Sequence, residues 1–271
     1  MKKFFAWLRD FFAKYFSISK PVEDPVTPPV SSIVRAPWLR DPAKYKEWCS
    51  FEWLRFSAAV RKEWISYIKA RGGNSMFMTL SHTSAGITPY KSDGFGGPFD
   101  DDKLTHYRNC ISELNANGIT PMLCLFDDTP SFHKQSNEAE HNRFISQMIR
   151  VADGLQVRWC TGMEPEEYWT PEYADLIAFR LRGYGGRSIK PYVHTQRENF
   201  ITENIFGVLH ERNHPRDGRE VKPASLLSLY LGLIKKYQEK EIWAWEWTQF
   251  QDECADQINA CIKAGCKGVG Q

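Results

Sequence analysis

From about residue 30 to its end the chain carries eight short β-prone apolar runs, each but the last followed by a longer amphipathic or helix-prone stretch. The short runs are Ser31–Ala36 (SSIVRA), Ser75–Leu80, Ile119–Phe126, Leu155–Met163, Ser188–Thr195, Ile205–Glu211, Ile242–Thr248 and Cys266–Gly270. Between them lie helix-like segments with polar starts and Gly or Asn-Gly stops, such as Asp101–Gly118 and Pro171–Gly186. Strand–helix units in series require parallel pairing, and eight of them predict a (β/α)8 TIM barrel. The sequence stops after the eighth run, so the last helix of such a barrel is expected to be lacking. The rival is a doubly wound open sheet, which normally carries a Gly-rich phosphate loop after an early strand. Here DGFGGPF (Asp93–Phe99) has neither the spacing nor the place of that loop.

The first 32 residues read differently. Residues 1–20 form an amphipathic, aromatic-rich helical pattern with Phe4, Phe5, Leu8, Phe11, Phe12, Tyr15 and Phe16 on one face. Arg9, Asp10 and Lys14 interrupt it and no small-residue cleavage site follows, so it does not read as a cleavable signal. It is expected to pack on the body of the protein, or to lie on a membrane surface or bind a protein partner. That points to the cytoplasm or to peripheral membrane association. Residues 21–32 form a Pro-rich linker, and 31–271 the barrel.

A net charge of +2 leaves no field directed at nucleic acid. The 7 Cys contain no CxxC pair and read as buried thiols, with no metal site or cofactor implied.

Barrels of this kind carry their chemistry at the C-terminal ends of the strands. That rule gathers a ring of polar residues: His82, Asp127, Asp128, Glu164, His194, His210, Glu211 and Glu246. Strict alternation in WAWEWT puts Ala244, Glu246 and Thr248 on one face, expected inward, and Trp243, Trp245 and Trp247 on the other. Cys160 and Gly162 are expected as small inward neighbours of Glu164. HERNH (His210–His214) matches the zinc-protease pattern, which works only on a helix; Pro215 follows at once and IFGVL precedes it as a strand. Asp100–Asp102 offer either a calcium site or a helix cap, and the cap fits the helix that follows.

With those residues in place, TGMEPEEYW (Thr161–Trp169) and WAWEWT (Trp243–Thr248) resemble segments of the clan A glycoside hydrolases. The resemblance implies a (β/α)8 barrel whose Glu164, ending the fourth strand, is the general acid/base and whose Glu246, ending the seventh, is the nucleophile. Met163 departs from that family, which usually has Asn there. A retaining mechanism needs two such carboxyls about 5–5.5 Å apart. His82, Asp127, Asp128, His194 and Glu211 would then bind or orient a carbohydrate substrate, and Trp169, Tyr192 and Trp245 offer faces for its rings. The alternatives are a barrel that binds carbohydrate or serves structurally without catalysis, and a zinc metallopeptidase using His210, Glu211 and His214.

Overall fold

The computed structural model describes residues 45–49, 53–70, 72–81, 86–92, 95–127, 137–211, 222–245 and 255–270. Eight parallel strands close into a barrel in sequence order: β1 Tyr45–Cys49, β2 Ser75–Thr79, β3 Thr120–Cys124, β4 Arg158–Met163, β5 Pro191–Thr195, β6 Gly207–Glu211, β7 Glu241–Trp245 and β8 Gly268–Gly270. β8 pairs with both β7 and β1, so no edge is left open. Six α-helices are present among the described residues: α1 Ala58–Ala70, α2 Asp101–Ala116, α3 Glu138–Val151, α4 Pro171–Gly185, α5 Pro223–Lys236 and α6 Ala255–Ala264. Between β5 and β6 the helix is reduced to a 3-10 turn, Glu198–Phe200.

Local chemistry explains several boundaries. Asp100 caps α2: its Oδ1 accepts from the N–H groups of Asp102 (3.0 Å) and Lys103 (3.2 Å), so this acidic run serves the helix. Thr170 caps α4 ahead of Pro171. No helix of the described residues is long and apolar enough to cross a membrane.

Inward residues from six strands, Phe77, Met122, Cys124, Cys160, Met163, Tyr192, Leu209, Trp243 and Trp245, meet in one buried cluster. Residues from so many strands can touch only inside the barrel. Two glycines make room for its largest rings. A Cβ on Gly207 would lie 2.4 Å from the Tyr192 ring, and one on Gly268 would lie 2.4 Å from the Trp243 ring. Outward residues pack against the helices: Met76 and Met78 with the α2 and α3 side, Ile242 and Ala244 with α5 and α6.

Two expectations are corrected here. The barrel's first strand is Tyr45–Cys49, not the run at Ser31–Ala36; all eight places are filled without that run. On β7 the tryptophans point inward and Ala244 outward, the reverse of the expected parity. Alternation separates two faces without saying which is which. Here the glycine of β8 leaves interior volume that Trp243 fills, while the α5–α6 layer leaves Ala244 little space. The amphipathic pattern of 1–20, the linker at 21–32, and His82, Asp128, His214, Glu246 and Thr248 lie outside the described residues. The same holds for the side chain of Glu211, the last residue of β6.

Candidate functional site

The site builds from the end of β4. Its pairing with β5 is regular at Trp159 and Cys160, then shifts before Met163. That irregularity places Cys160 and Met163, three residues apart, both in the interior cluster. Gly162 does not face inward with Cys160: a Cβ there would sit 3.4 Å from the Trp169 ring.

Glu164 follows with φ 44° and ψ 49°, and it is the non-glycine residue with left-handed backbone among those described. Such a conformation costs of order 1–3 kcal/mol for a residue with a side chain and persists only where neighbours enforce it. They do so on both sides. The Met163 N–H donates to the Phe126 carbonyl at the end of β3, and the Glu164 N–H donates to the His194 carbonyl on β5, each at 2.9 Å. Pro165 then opens a 3-10 turn, Pro165–Glu167, and the Glu167 N–H returns to the Glu164 carbonyl at 3.0 Å. The left-handed residue throws the Glu164 carboxyl out of the strand's alternation, to the gap between the C-terminal ends of β4 and β5. There Gln196 Nε2 donates to Glu164 Oε1 at 3.0 Å.

Glu166, two residues on, is bound by both oxygens. Oε2 accepts from Thr195 Oγ1 and Oε1 from the Gln196 N–H, each at 2.8 Å. Glu166 therefore ties the 3-10 turn to the end of β5, while Glu164 is the partly exposed carboxyl beside it.

Around this pair the structure brings together three of the sequence-predicted residues. His194 is fully buried, its ring edge-on to Phe77 (6.2 Å) and Trp245 (5.8 Å) inside the barrel. Trp245, the last residue of β7, lies 4.9 Å from Phe77 and is in register with Glu211. Asp127 is fully buried just beyond β3. Burial, then the neighbouring Cys160 and Asp127, push the Cys124 thiol well above its ordinary range. Cys124 is thus a neutral, packed thiol rather than a nucleophile, and Cys160 is buried beside it.

Other candidates lie elsewhere. Tyr192 is deep in the barrel, with its hydroxyl donated to Glu241 Oε2 (2.5 Å) at the first position of β7, toward the opposite end from Glu164. Trp169 is buried in the outer core, its ring 5.4 Å from Phe126 and 5.3 Å from Tyr173, so it is packing rather than an open platform. His210 points outward, its ring 6.0 Å from Tyr230 of α5. Because His210 and Glu211 occupy a strand, the helical geometry a zinc-protease motif needs is not there. Among the described residues no group of three or more His, Cys, Asp or Glu could hold a metal ion.

The described part of the long segment after β2 folds over the C-terminal side of β3. Tyr90 stacks on Phe99 (4.9 Å), Phe95 packs edge-on to Phe126 (6.3 Å), and Arg143 of α3 lies over the Phe99 ring at 4.5 Å. Arg143 also donates to the Gly97 carbonyl, which pins the loop to α3.

Sequence reasoning missed Gln196 and the clamping role of Glu166. One signal for them was legible: HTQRENF turns polar immediately after the buried run of β5, at the end of the barrel that carries chemistry.

No family model and no curated protein matches the sequence. Solved structures do match. An endo-1,4-β-mannanase from Rhizomucor miehei aligns with a TM-score of 0.68 at 8% identity, over 85% of this chain and 86% of that one. A broad-specificity endoglucanase of GH5-4 from Clostridium acetobutylicum gives 0.58 at 13% identity, over 84% and 87%. An exo-β-1,4-mannosidase from Opitutaceae bacterium strain TAV5 gives 0.59 at 13% identity, over 85% of this chain. The chain spans 54% of the length of that mannosidase and 50% of a longer Bacteroides vulgatus chain that it also matches. What the chain shares with these glycoside hydrolases is the fold, a (β/α)8 barrel.

Proposed function

We propose that the protein is a retaining glycoside hydrolase acting on an oligo- or polysaccharide, with Glu164 as acid/base and Glu246 as nucleophile. The observation that carries this reading is the backbone of Glu164. A glutamate is held in a strained left-handed conformation at the C-terminal end of β4, in a barrel whose structural neighbours are glycoside hydrolases. Strain of this kind collects at functional sites, because packing alone would select a relaxed residue.

The roles follow from chemistry. One carboxylate attacks the anomeric carbon and expels the leaving oxygen, which takes its proton from the other carboxyl; water then hydrolyses the glycosyl-enzyme with the acid acting as base. Glu164, part-exposed and held by the Gln196 amide, suits the proton carrier. Glu246 follows Trp245 in the chain as Glu164 follows Met163, and both preceding side chains are inward. His194 and Trp245 meet at the ends of β5 and β7, and Asp127 is buried just beyond β3; with Asp128, His82 and Glu211, which belong to the same strand ends, they are proposed as substrate contacts.

Incubation with 2-deoxy-2-fluoro glycosides bearing a dinitrophenyl leaving group tests the reading. A stable adduct on the peptide containing Glu246, seen by mass spectrometry, is the expected result. Hydrolysis with inversion and no adduct overturns the retaining mechanism.

Met163 favours one other reading. Where the clan usually presents an amide to the sugar, this chain buries a thioether in the barrel interior. A barrel that binds carbohydrate without cleaving it would show oligosaccharide binding by calorimetry and no turnover of any aryl glycoside.

A further inference from the structure

We infer that the outer faces of α4 and α5 are the surface through which two copies of this chain pair about a two-fold axis. Phe179 (59% exposed), Tyr184 (49%) and Leu231 (49%) are the exposed large apolar side chains among the described residues, and all three lie on these two helices. Exposed apolar groups gathered in one region mark an interaction surface. A barrel of this kind normally carries a helix between β5 and β6, and here the 3-10 turn Glu198–Phe200 stands in its place. Beside that turn runs a groove of about 400 Å3 whose α5 wall includes Ser225, Ser228, Leu229 and Gly232.

A second copy fits because the two faces match in register, size and charge. Both helices open on a proline, Pro171 and Pro223, at the same end of the barrel, so equal steps along them reach corresponding levels. The outer stripe of α4 is Glu172, Leu176, Phe179 and Gly183; at the same steps α5 presents Ala224, Ser228, Leu231 and Lys235. A two-fold axis along the gap lays α4 of one copy over α5 of the other, and the contact is made twice. Leu176 then meets the small Ser228. Phe179 meets Leu231 and the space over Gly232, where a Cβ would touch nothing within 4 Å. The space over Gly183 is open in the same way and takes the Lys235 stem, whose ammonium reaches the last carbonyls of the facing α4. Glu172, in the first turn of α4, comes beside Lys222, the exposed residue that precedes α5. The complementary half of every one of these contacts lies on this same chain.

The test is sedimentation equilibrium of the full-length chain over a range of concentrations at low ionic strength, with melting curves to check the fold of each variant. Wild type should dimerise reversibly. Phe179→Ser and Leu231→Ser alter exposed side chains, so the fold should survive while each weakens the dimer about tenfold. Charge reversal is the sharper arm. Glu172→Lys sets a second cation against Lys222, and Lys222→Glu sets a second anion against Glu172; each alone should weaken the dimer roughly fivefold. An equal mixture of these two variants forms mixed pairs in which both contacts again join opposite charges, and those pairs should bind as tightly as wild type. A wild type that stays monomeric at the highest concentration overturns the inference, as does a dimer that all four variants leave unchanged. A mixture no tighter than either charge variant by itself overturns it too, because α4 would then not face α5 of another copy.

Discussion

The main-chain N–H of Glu164 donates to the carbonyl of His194 across the β4–β5 gap at 2.9 Å. This bond closes the pairing of the two strands at the residue where β4 leaves extended geometry. It also explains how a side chain that opposes left-handed backbone can be kept there: β5 sets the direction of the N–H, and it does so although Pro165 biases the residue before it toward extended backbone.

Backbone strain at position 164 predicts an inverted substitution order. Elsewhere in a strand or helix, Gly is less stable than Ala by about 0.5–1 kcal/mol. At 164 the Cβ of Ala keeps the left-handed penalty of roughly 1–2 kcal/mol, which Gly escapes. Glu164→Gly should therefore melt higher than Glu164→Ala, by about 2–4 °C for a barrel of this size. Calorimetry of the two variants decides; an Ala variant equal to or above the Gly variant would show that the residue relaxes and carries no strain.

The interior rings give a second prediction. Gly268→Ala places a Cβ 2.4 Å from the Trp243 ring, which is fully buried. Overpacking of this kind costs ~1–3 kcal/mol. Trp243→Phe alone should also destabilise, by removing buried area. Because the two residues touch, the double variant should be more stable than the sum of the single losses predicts. Strict additivity in denaturant melts would mean that the ring does not lie over Gly268.

The eightfold rhythm made the barrel legible, because parallel strands buried on both faces leave continuous apolar runs that few other folds require. β1 was not legible: YKEWC (Tyr45–Cys49) is short and half polar, and SSIVRA is the more β-prone run. Its identity depends on pairing with β2 and β8, a long-range fact. The parity of β7 failed for a related reason, since the inward face was chosen by the volume beside Gly268. At the site, Glu164 could be found from its place at a strand end. Its left-handed backbone and its bond to Gln196 could not, because both arise from contacts with β5. Trp169 and Tyr192 carry the aromatic signal of a sugar platform, yet one is committed to Phe126 and Tyr173 and the other to Glu241.

A third prediction concerns acid. Burial opposes ionisation of Asp175 on α4, but the Thr202 hydroxyl, then the Asn204 main chain (2.8 Å) and amide (2.7 Å) and the Lys240 ammonium, outweigh it and leave its carboxyl below the usual range. Lys240 in turn donates to the carbonyls of Thr202, Glu203 and Ile205, so the group holds the connection into β6. A depressed folded-state value means stability that is present above the unfolded carboxyl range and is lost as pH falls through the folded value. Acid should thus weaken this connection below about pH 4, read as faster amide exchange at residues 202–206. In Asp175→Asn the exchange should already be fast at neutral pH and change little on acidification. An acid-insensitive wild-type segment would show that the carboxyl is not what holds it.

The last prediction separates the two glutamates by leaving group. If Glu164 is the acid, it matters only where the departing oxygen needs a proton. Dinitrophenolate leaves without one, whereas an alcohol or a sugar hydroxyl does not. Glu164→Gln keeps an acceptor oxygen for Gln196 and the size of the side chain, but has no proton to give. Its turnover of natural oligosaccharides should fall by about 10²–10⁴, the usual worth of general acid catalysis. With dinitrophenyl glycosides the glycosyl-enzyme should still form at near wild-type rate and then accumulate, because water lacks its base in the second step. Azide, which needs no base, should restore that step and give a glycosyl azide of retained configuration. Glu246→Gln should instead stop both classes of substrate at the first step, with no adduct and no rescue of that kind. Equal losses with every leaving group in Glu164→Gln would remove Glu164 from the acid's role.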